Sequence, residues 1–277
     1  MKFYKITEAG DEMLECFFHT GDVRLHYVKS NSKGVPILLL HGGISRWEAF
    51  QTIIPELENE GHVYAIDLRG HGKSGRVTNG YHVKDYVQDI ISFIEECMTE
   101  PPIIFGHSLG GMIGIQVTAE YPELVKGLII GDSPMSLEVL KEGSEKLRKW
   151  KGIVQKGAAT NQNMMAKKGE NPLLDFMIES VMLTDPQVLD VMIDHCDETY
   201  MGYDMNTLLP KIQCPVLLLQ GNPERNGVVR DSDVKKALGL LPNAKHVKLE
   251  NAGHTLHIED KAAVLDAIVP FIQLNNK

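Results

Sequence analysis

Apolar residues recur along this chain with two periods, and the switches between them lay out its elements. From Leu14 to Thr20 and from Arg24 to Lys29, apolar and polar residues roughly alternate about the turn signal Gly21-Asp22, which predicts an antiparallel hairpin at a sheet edge. Pro36-Ile37-Leu38-Leu39-Leu40 does not alternate, and a continuous apolar run predicts a strand covered on both faces, as in a parallel sheet. Further strands are predicted over 63–66, 103–105, 127–132, 215–220 and 245–249, which makes eight. Between them lie helical stretches: one from about Trp47 to Glu60, one from Met112 to Pro122, one near Ser232 to Leu240 and one from Glu259 to Leu274. The clearest helix runs from Val83 to Met98, where Val83, Tyr86, Val87, Ile90, Ile91 and Ile94 form one apolar face. Repeated strand–helix units build a mostly parallel sheet with helices on both faces. The alternation lapses from about Ser133 to Pro210 in favour of helix rich in methionine. The expected organisation is therefore one α/β core, 1–132 and 211–277, interrupted by a helical insertion over 133–210.

Composition narrows the function classes. At 277 residues the chain can bury a sizeable core, and 43% hydrophobic with 23% charged residues is ordinary for a soluble globular protein. The net charge of −9 disfavours nucleic acid or an anionic membrane as the main partner. Met1 to Glu8 lacks the apolar segment of a signal peptide and no apolar run approaches a bilayer span, so a cytoplasmic location is expected. Cys16, Cys97, Cys196 and Cys214 lie far apart without C-x-x-C spacing, which suits reduced thiols rather than disulfides or zinc. Asp194-His195-Cys196-Asp197-Glu198 holds metal-ligand residue types, but consecutive helical residues point in different directions. With no dinucleotide or Walker fingerprint either, no metal and no cofactor are expected. The partner expected is a small-molecule substrate, and the oligomeric state a monomer or homodimer.

The chemistry centres on Gly106-His107-Ser108-Leu109-Gly110, which fits G-x-S-x-G. There a strand turns sharply into a helix and leaves the serine hydroxyl exposed. Glycine is needed two residues to either side because a Cβ would collide with neighbouring backbone at so tight a corner. A serine hydroxyl is a weak nucleophile, so it needs a base and a group that orients the base. His254, in Ala252-Gly253-His254-Thr255-Leu256-His257, follows the last predicted strand directly, and such a loop can reach the serine turn; His257 suits a structural or pocket-lining place. The Leu109 N–H, at a helix N-terminus, is a donor for the charge that develops on a carbonyl oxygen.

At this point the chain resembles the α/β-hydrolase superfamily, its serine esterase-like branch with a helical lid. The likeness rests on His41-Gly42-Gly43 after the third strand, Asp67-Leu68-Arg69-Gly70-His71-Gly72-Lys73-Ser74 after the fourth, Gly106 to Gly110 after the fifth, and Gly253-His254 near the end. It implies an eight-stranded α/β-hydrolase sheet with a helical cap, the chain order Ser…acid…His, and Gly43 as a second oxyanion donor, with Ile44 in its place if the loop is shifted by one. In relatives the acid usually sits three residues beyond the glycine that closes the penultimate strand, commonly as Asp. Here that position holds Glu224, the first candidate; Asp132, Asp231 and Asp233 are alternatives. Asp67, Arg69 and Ser74 are expected to brace the site, and His41 to be structural. Serine at the nucleophile position argues against the haloalkane dehalogenase and epoxide hydrolase branches, which use Asp.

The expected function is hydrolysis of a small, largely apolar carboxylic ester or related acyl substrate through an acyl-enzyme. A lactonase or a carbon–carbon bond hydrolase using the same residues is the alternative, the latter favoured by an arginine in the pocket, for which Arg148, Arg225 and Arg230 are candidates. From another class, a ligand-binding receptor on a hydrolase scaffold fits the same motifs. In the insertion, Met135, Trp150, Met164, Met165, Phe176, Met177, Met182, Leu183, Met192, Met201, Tyr203 and Met205 are expected to shape an apolar pocket above Ser108 or to pack the lid on the core.

Overall fold

The computed structural model describes residues 13–155 and 172–276. Eight strands form one sheet in the order β1-β2-β4-β3-β5-β6-β7-β8. They are β1 (Leu14–His19), β2 (Arg24–Lys29), β3 (Pro36–Leu40), β4 (His62–Asp67), β5 (Ile103–His107), β6 (Gly127–Gly131), β7 (Val216–Gly221) and β8 (Ala244–Leu249). The predicted hairpin is there: β1 pairs antiparallel with β2 at the sheet edge and β2 with β4, while every later pairing is parallel.

The non-alternating strands are covered on both faces. Leu38 and Leu40 of β3 join one core with Ile104, Leu128 and Leu218, whereas Ile37 and Leu39 join a second with Phe105, Ile129, Leu217 and Leu219. Successive side chains point to opposite faces, so a strand between two cores must be apolar at every position. The first core lies under α2 (Val83–Cys97) and α3 (Leu109–Glu120), and the second under the C-terminal helix Lys261–Asn275.

The helix expected over 47–60 is shorter, a 3₁₀ turn at Trp47–Phe50 and one turn, α1, at Ile54–Leu57, because Pro55 supplies no N–H to continue an earlier helix. Between β6 and β7 the described residues include five α-helices, Leu137–Gln155, Pro172–Leu183, Pro186–Asp194, Cys196–Thr199 and Met205–Leu208. No helix among the described residues is long and apolar enough to cross a membrane.

Candidate active site

At the carboxyl end of β5 the chain reverses into α3 within one residue. Ser108 takes φ +51° and ψ −116°, a conformation side-chain-bearing residues rarely adopt. The steric expectation for its glycines holds. A Cβ at Gly106 would lie 2.3 Å from the Gly110 carbonyl oxygen, and one at Gly110 would lie 2.0 Å from that of Leu40. Neither contact is survivable without moving backbone. The Ser108 N–H donates to Gly131 O (3.0 Å) and the Gly110 N–H to His41 O (3.1 Å), so the turn is tied to β6 and to the end of β3.

His254 arrives from the loop after β8, and its Nε2 stands 3.1 Å from Ser108 Oγ. On the other side of the ring, Nδ1 stands 2.8 Å from Asp132 Oδ2. A carboxylate only accepts, so this bond puts the ring proton on Nδ1 and leaves the Nε2 lone pair for the serine hydroxyl. Asp132 is fully buried, and a buried carboxylate needs donors. Gly221 N–H (3.0 Å) and Val229 N–H (3.3 Å) donate to Oδ1, and Val228 N–H (2.8 Å) to Oδ2.

The first candidate for the acid is therefore corrected: Glu224 is not brought to the imidazole. It is exposed on a 3₁₀ turn, Pro223–Arg225, whose backbone is capped by the Asn222 side chain. Asp231 turns instead to Gln220 Nε2 (2.8 Å), and Asp233 to the Arg230 N–H that starts the next helix (3.3 Å). Asp132 follows an apolar strand directly, a cue the sequence offered beside those for Glu224, Asp231 and Asp233 without choosing among them; the strand adjacency that favours it exists only in the fold.

Gly43 and Leu109 both line the cavity with Ser108. Ile44 also lines it, but its N–H is committed to His71 Nε2 (3.2 Å), and His71 can accept there because its Nδ1–H donates to Arg69 O (2.8 Å). Burial, with the neighbouring His71, pushes His41 down to about 3, so it is neutral; its Nδ1–H donates to Gly42 O and its Nε2 accepts Leu68 N–H.

The bracing residues do what their loop suggested. Asp67 accepts from Trp47 N–H (2.9 Å), Lys73 N–H (2.9 Å) and His26 Nδ1 (2.7 Å); burial opposes its ionisation, yet His26 holds its carboxyl below the usual range. Arg69 pairs with Asp89 through Nε and Nη2, each at 2.6 Å. His26 was missed in the sequence: it sits in an ordinary alternating strand, and only the fold sets it between Asp67 and Glu15.

The cavity encloses about 670 Å³. Its floor is the serine turn and His254; the facing wall comes from the insertion, chiefly Leu140, Leu147, Phe176, Met177, Val181 and Met192. Among the described residues no charged side chain lines it. Arg148 pairs with Glu145 and Asp194, Arg230 pairs with Glu138 and Glu142, and Arg225 is exposed on the turn that carries Glu224. Of the insertion's other residues, Met135, Tyr203 and Met205 pack into the core and Met182, Leu183 and Met201 are exposed, while Met164, Met165 and the side chain of Trp150 lie outside the described residues. Arg46, beside the Gly43 turn, stacks over Phe176 (5.0 Å) and pairs with Glu179 (3.0 Å), tying the wall to the floor.

A family model described as alpha/beta hydrolase fold matches residues 35–261. A Haemophilus influenzae protein that carries the name esterase/lipase is 24% identical, covering 91% of this chain and 88% of its own. The (E)-2-((N-methylformamido)methylene)succinate hydrolase of Acinetobacter baylyi is 23% identical over 90% of this chain and 94% of its own. Among solved structures, an esterase from Exiguobacterium antarcticum superposes with a TM-score of 0.76 at 17% identity, covering 94% of this chain and all of that one. The sheet order, the serine turn between β5 and α3, and the span of the family match carry one conclusion: this chain belongs to the alpha/beta hydrolase fold family and is a hydrolase.

Proposed function

We propose that the protein is a serine hydrolase that cleaves small, uncharged, largely apolar carboxylic esters through an acyl-enzyme. The observation that carries this is the hydrogen-bonded series Ser108 Oγ, His254 Nε2, His254 Nδ1, Asp132 Oδ2 at the floor of an apolar cavity. Ser108 Oγ attacks the substrate carbonyl carbon while its proton passes to His254 Nε2; Asp132 holds the resulting imidazolium. The oxyanion takes hydrogen bonds from the Leu109 and Gly43 N–H groups. As the tetrahedral intermediate collapses, Nε2 returns the proton to the leaving alkoxide. A water then attacks the acyl-serine, giving its proton to His254 and releasing acid and free Ser108 in a second round of the same steps.

The helices between β6 and β7 act in this reading as a cap that shapes the acyl pocket. A wall of leucine, methionine and phenylalanine favours chain length, because each methylene buried is worth about 0.8 kcal/mol, or about fourfold in kcat/KM. The absence of a charged lining residue among those described disfavours carboxylate-bearing substrates of the kind named for the Acinetobacter relative, since a carboxylate taken into such a wall loses hydration without gaining a partner.

The test is a panel of p-nitrophenyl esters of increasing chain length, lactones, amides and an ester bearing a free carboxylate, run with wild type and Ser108→Ala. Turnover should climb with acyl length, fall sharply for the carboxylate, and drop about 10⁶-fold in Ser108→Ala. Turnover surviving in Ser108→Ala would refute the serine mechanism, and a wild type that binds these compounds without cleaving them would favour a receptor.

A further inference from the structure

His107 stands between the nucleophile and the base and belongs to neither. It closes β5, immediately before Ser108, and its ring is buried against the rings of His254 (4.8 Å) and His257 (5.0 Å). Burial, with His254 close by, pushes it down to about 3, so at neutral pH the ring carries one proton. The location of that proton follows from its partner. His107 Nε2 lies 2.7 Å from the main-chain carbonyl oxygen of His254, and a carbonyl only accepts, so the proton is on Nε2.

Among the described residues, the other hydrogen bonds to the backbone of the base loop do not come from the serine turn. Ala252 O accepts from Asn222 N–H (2.7 Å), and Glu259 accepts from Gly253 N–H (2.7 Å) and Thr255 N–H (2.9 Å). Those bonds fix the loop to β7 and to itself. The His107 bond is made by the residue covalently joined to Ser108, and it grips the backbone of the residue whose ring meets Ser108 Oγ. It closes a short circuit: one peptide bond, one side chain and one hydrogen bond span nucleophile and base. Proton transfer falls off steeply with misplacement, and about 1 Å can cost about 100-fold.

We propose that His107 is a positioning residue, which holds the base loop at proton-transfer distance from Ser108 through its Nε2–H bond to the His254 carbonyl. The proposal rests on the reading of Ser108 and His254 as nucleophile and base.

The experiment compares His107→Phe, which keeps a planar ring and loses the donor, with His107→Gln, whose amide N–H falls near the position of Nε2. Ser108→Ala runs alongside on the best ester of the panel. His107→Phe should lower kcat about 10- to 100-fold with KM held within about twofold, and should slow labelling of Ser108 by a fluorophosphonate in parallel. His107→Gln should recover at least about half of that loss on a logarithmic scale. If His107→Phe does not fold, His107→Asn, whose shorter amide stops short of the carbonyl, takes its place against His107→Gln. The role is overturned if the donor-less variant keeps kcat within about twofold, if Gln and the donor-less variant lose equally, or if KM moves and kcat does not. Ser108→Ala separates the two readings: activity surviving there removes the serine mechanism, whereas an inert Ser108→Ala beside an unimpaired His107→Phe removes only the positioning role.

Discussion

The turns that follow β6 and β7 both carry a carboxylate within a few residues of the strand end, and they treat it in opposite ways. After β6 the chain offers a side chain. Asp132 is buried, adopts φ +41° and accepts four hydrogen bonds, one of them from His254. After β7 the chain offers main chain: Gly221, Val228 and Val229 give their N–H groups to Asp132, while Glu224 stays in solvent. One turn supplies the carboxylate that meets His254 and the other solvates it. A carboxylate orients an imidazole when neighbouring dipoles have already met its desolvation cost, and the number of residues after a strand does not measure that.

The contrast is sharpest under mutation of Asp132. Asp132→Asn should reduce kcat about 10⁴-fold in steady-state assays, because an amide can present its NH₂ to Nδ1 and stabilise the tautomer that cannot accept the serine proton. Loss of only a few-fold would mean that some other group orients His254. Gly227→Ala addresses the solvating turn alone. Its Cβ would stand 2.5 Å from Gly221 O, so the loop must shift and carry the Val228 and Val229 donors with it. The expected cost is about 1–3 kcal/mol in denaturant unfolding together with a roughly tenfold fall in kcat; a melt shift with unchanged kcat would detach this loop from the function of Asp132. The smallest effect belongs to Glu224→Gln, within about twofold in turnover and about 0.5 kcal/mol in stability. A large loss there would invert the comparison and return the acid to the β7 turn.

The same two turns show where reading the chain alone stops. The apolar strands, the α2 stripe and the serine turn were legible because each depends on residues a few positions apart: Gly106 and Gly110 are demanded by contacts within their own corner and with β3. His254 was legible as a histidine in a small-residue loop after the last strand. The carboxylate that meets His254 was not, since Glu224, Asp132, Asp231 and Asp233 all follow strands or begin helices. In the insertion the methionine content announced an apolar surface, but it could not sort Met192 on the cavity wall from Met205 in the core or Met201 in solvent. Helical spacing alone does not say which neighbour a face meets.

Local sterics and the hydrophobic period decided the strands, the helices and the tight turn at Ser108, because those forces act over a few bonds. The sheet order decided the rest. β6 lies between β5 and β7, so Asp132 stands one strand from Ser108 and beneath the donors of the β7 turn, and His254, 122 residues further on, is folded over onto it. Which carboxylate meets an imidazole is set by strand adjacency and by the supply of buried donors, and both exist only once the chain has closed into its sheet.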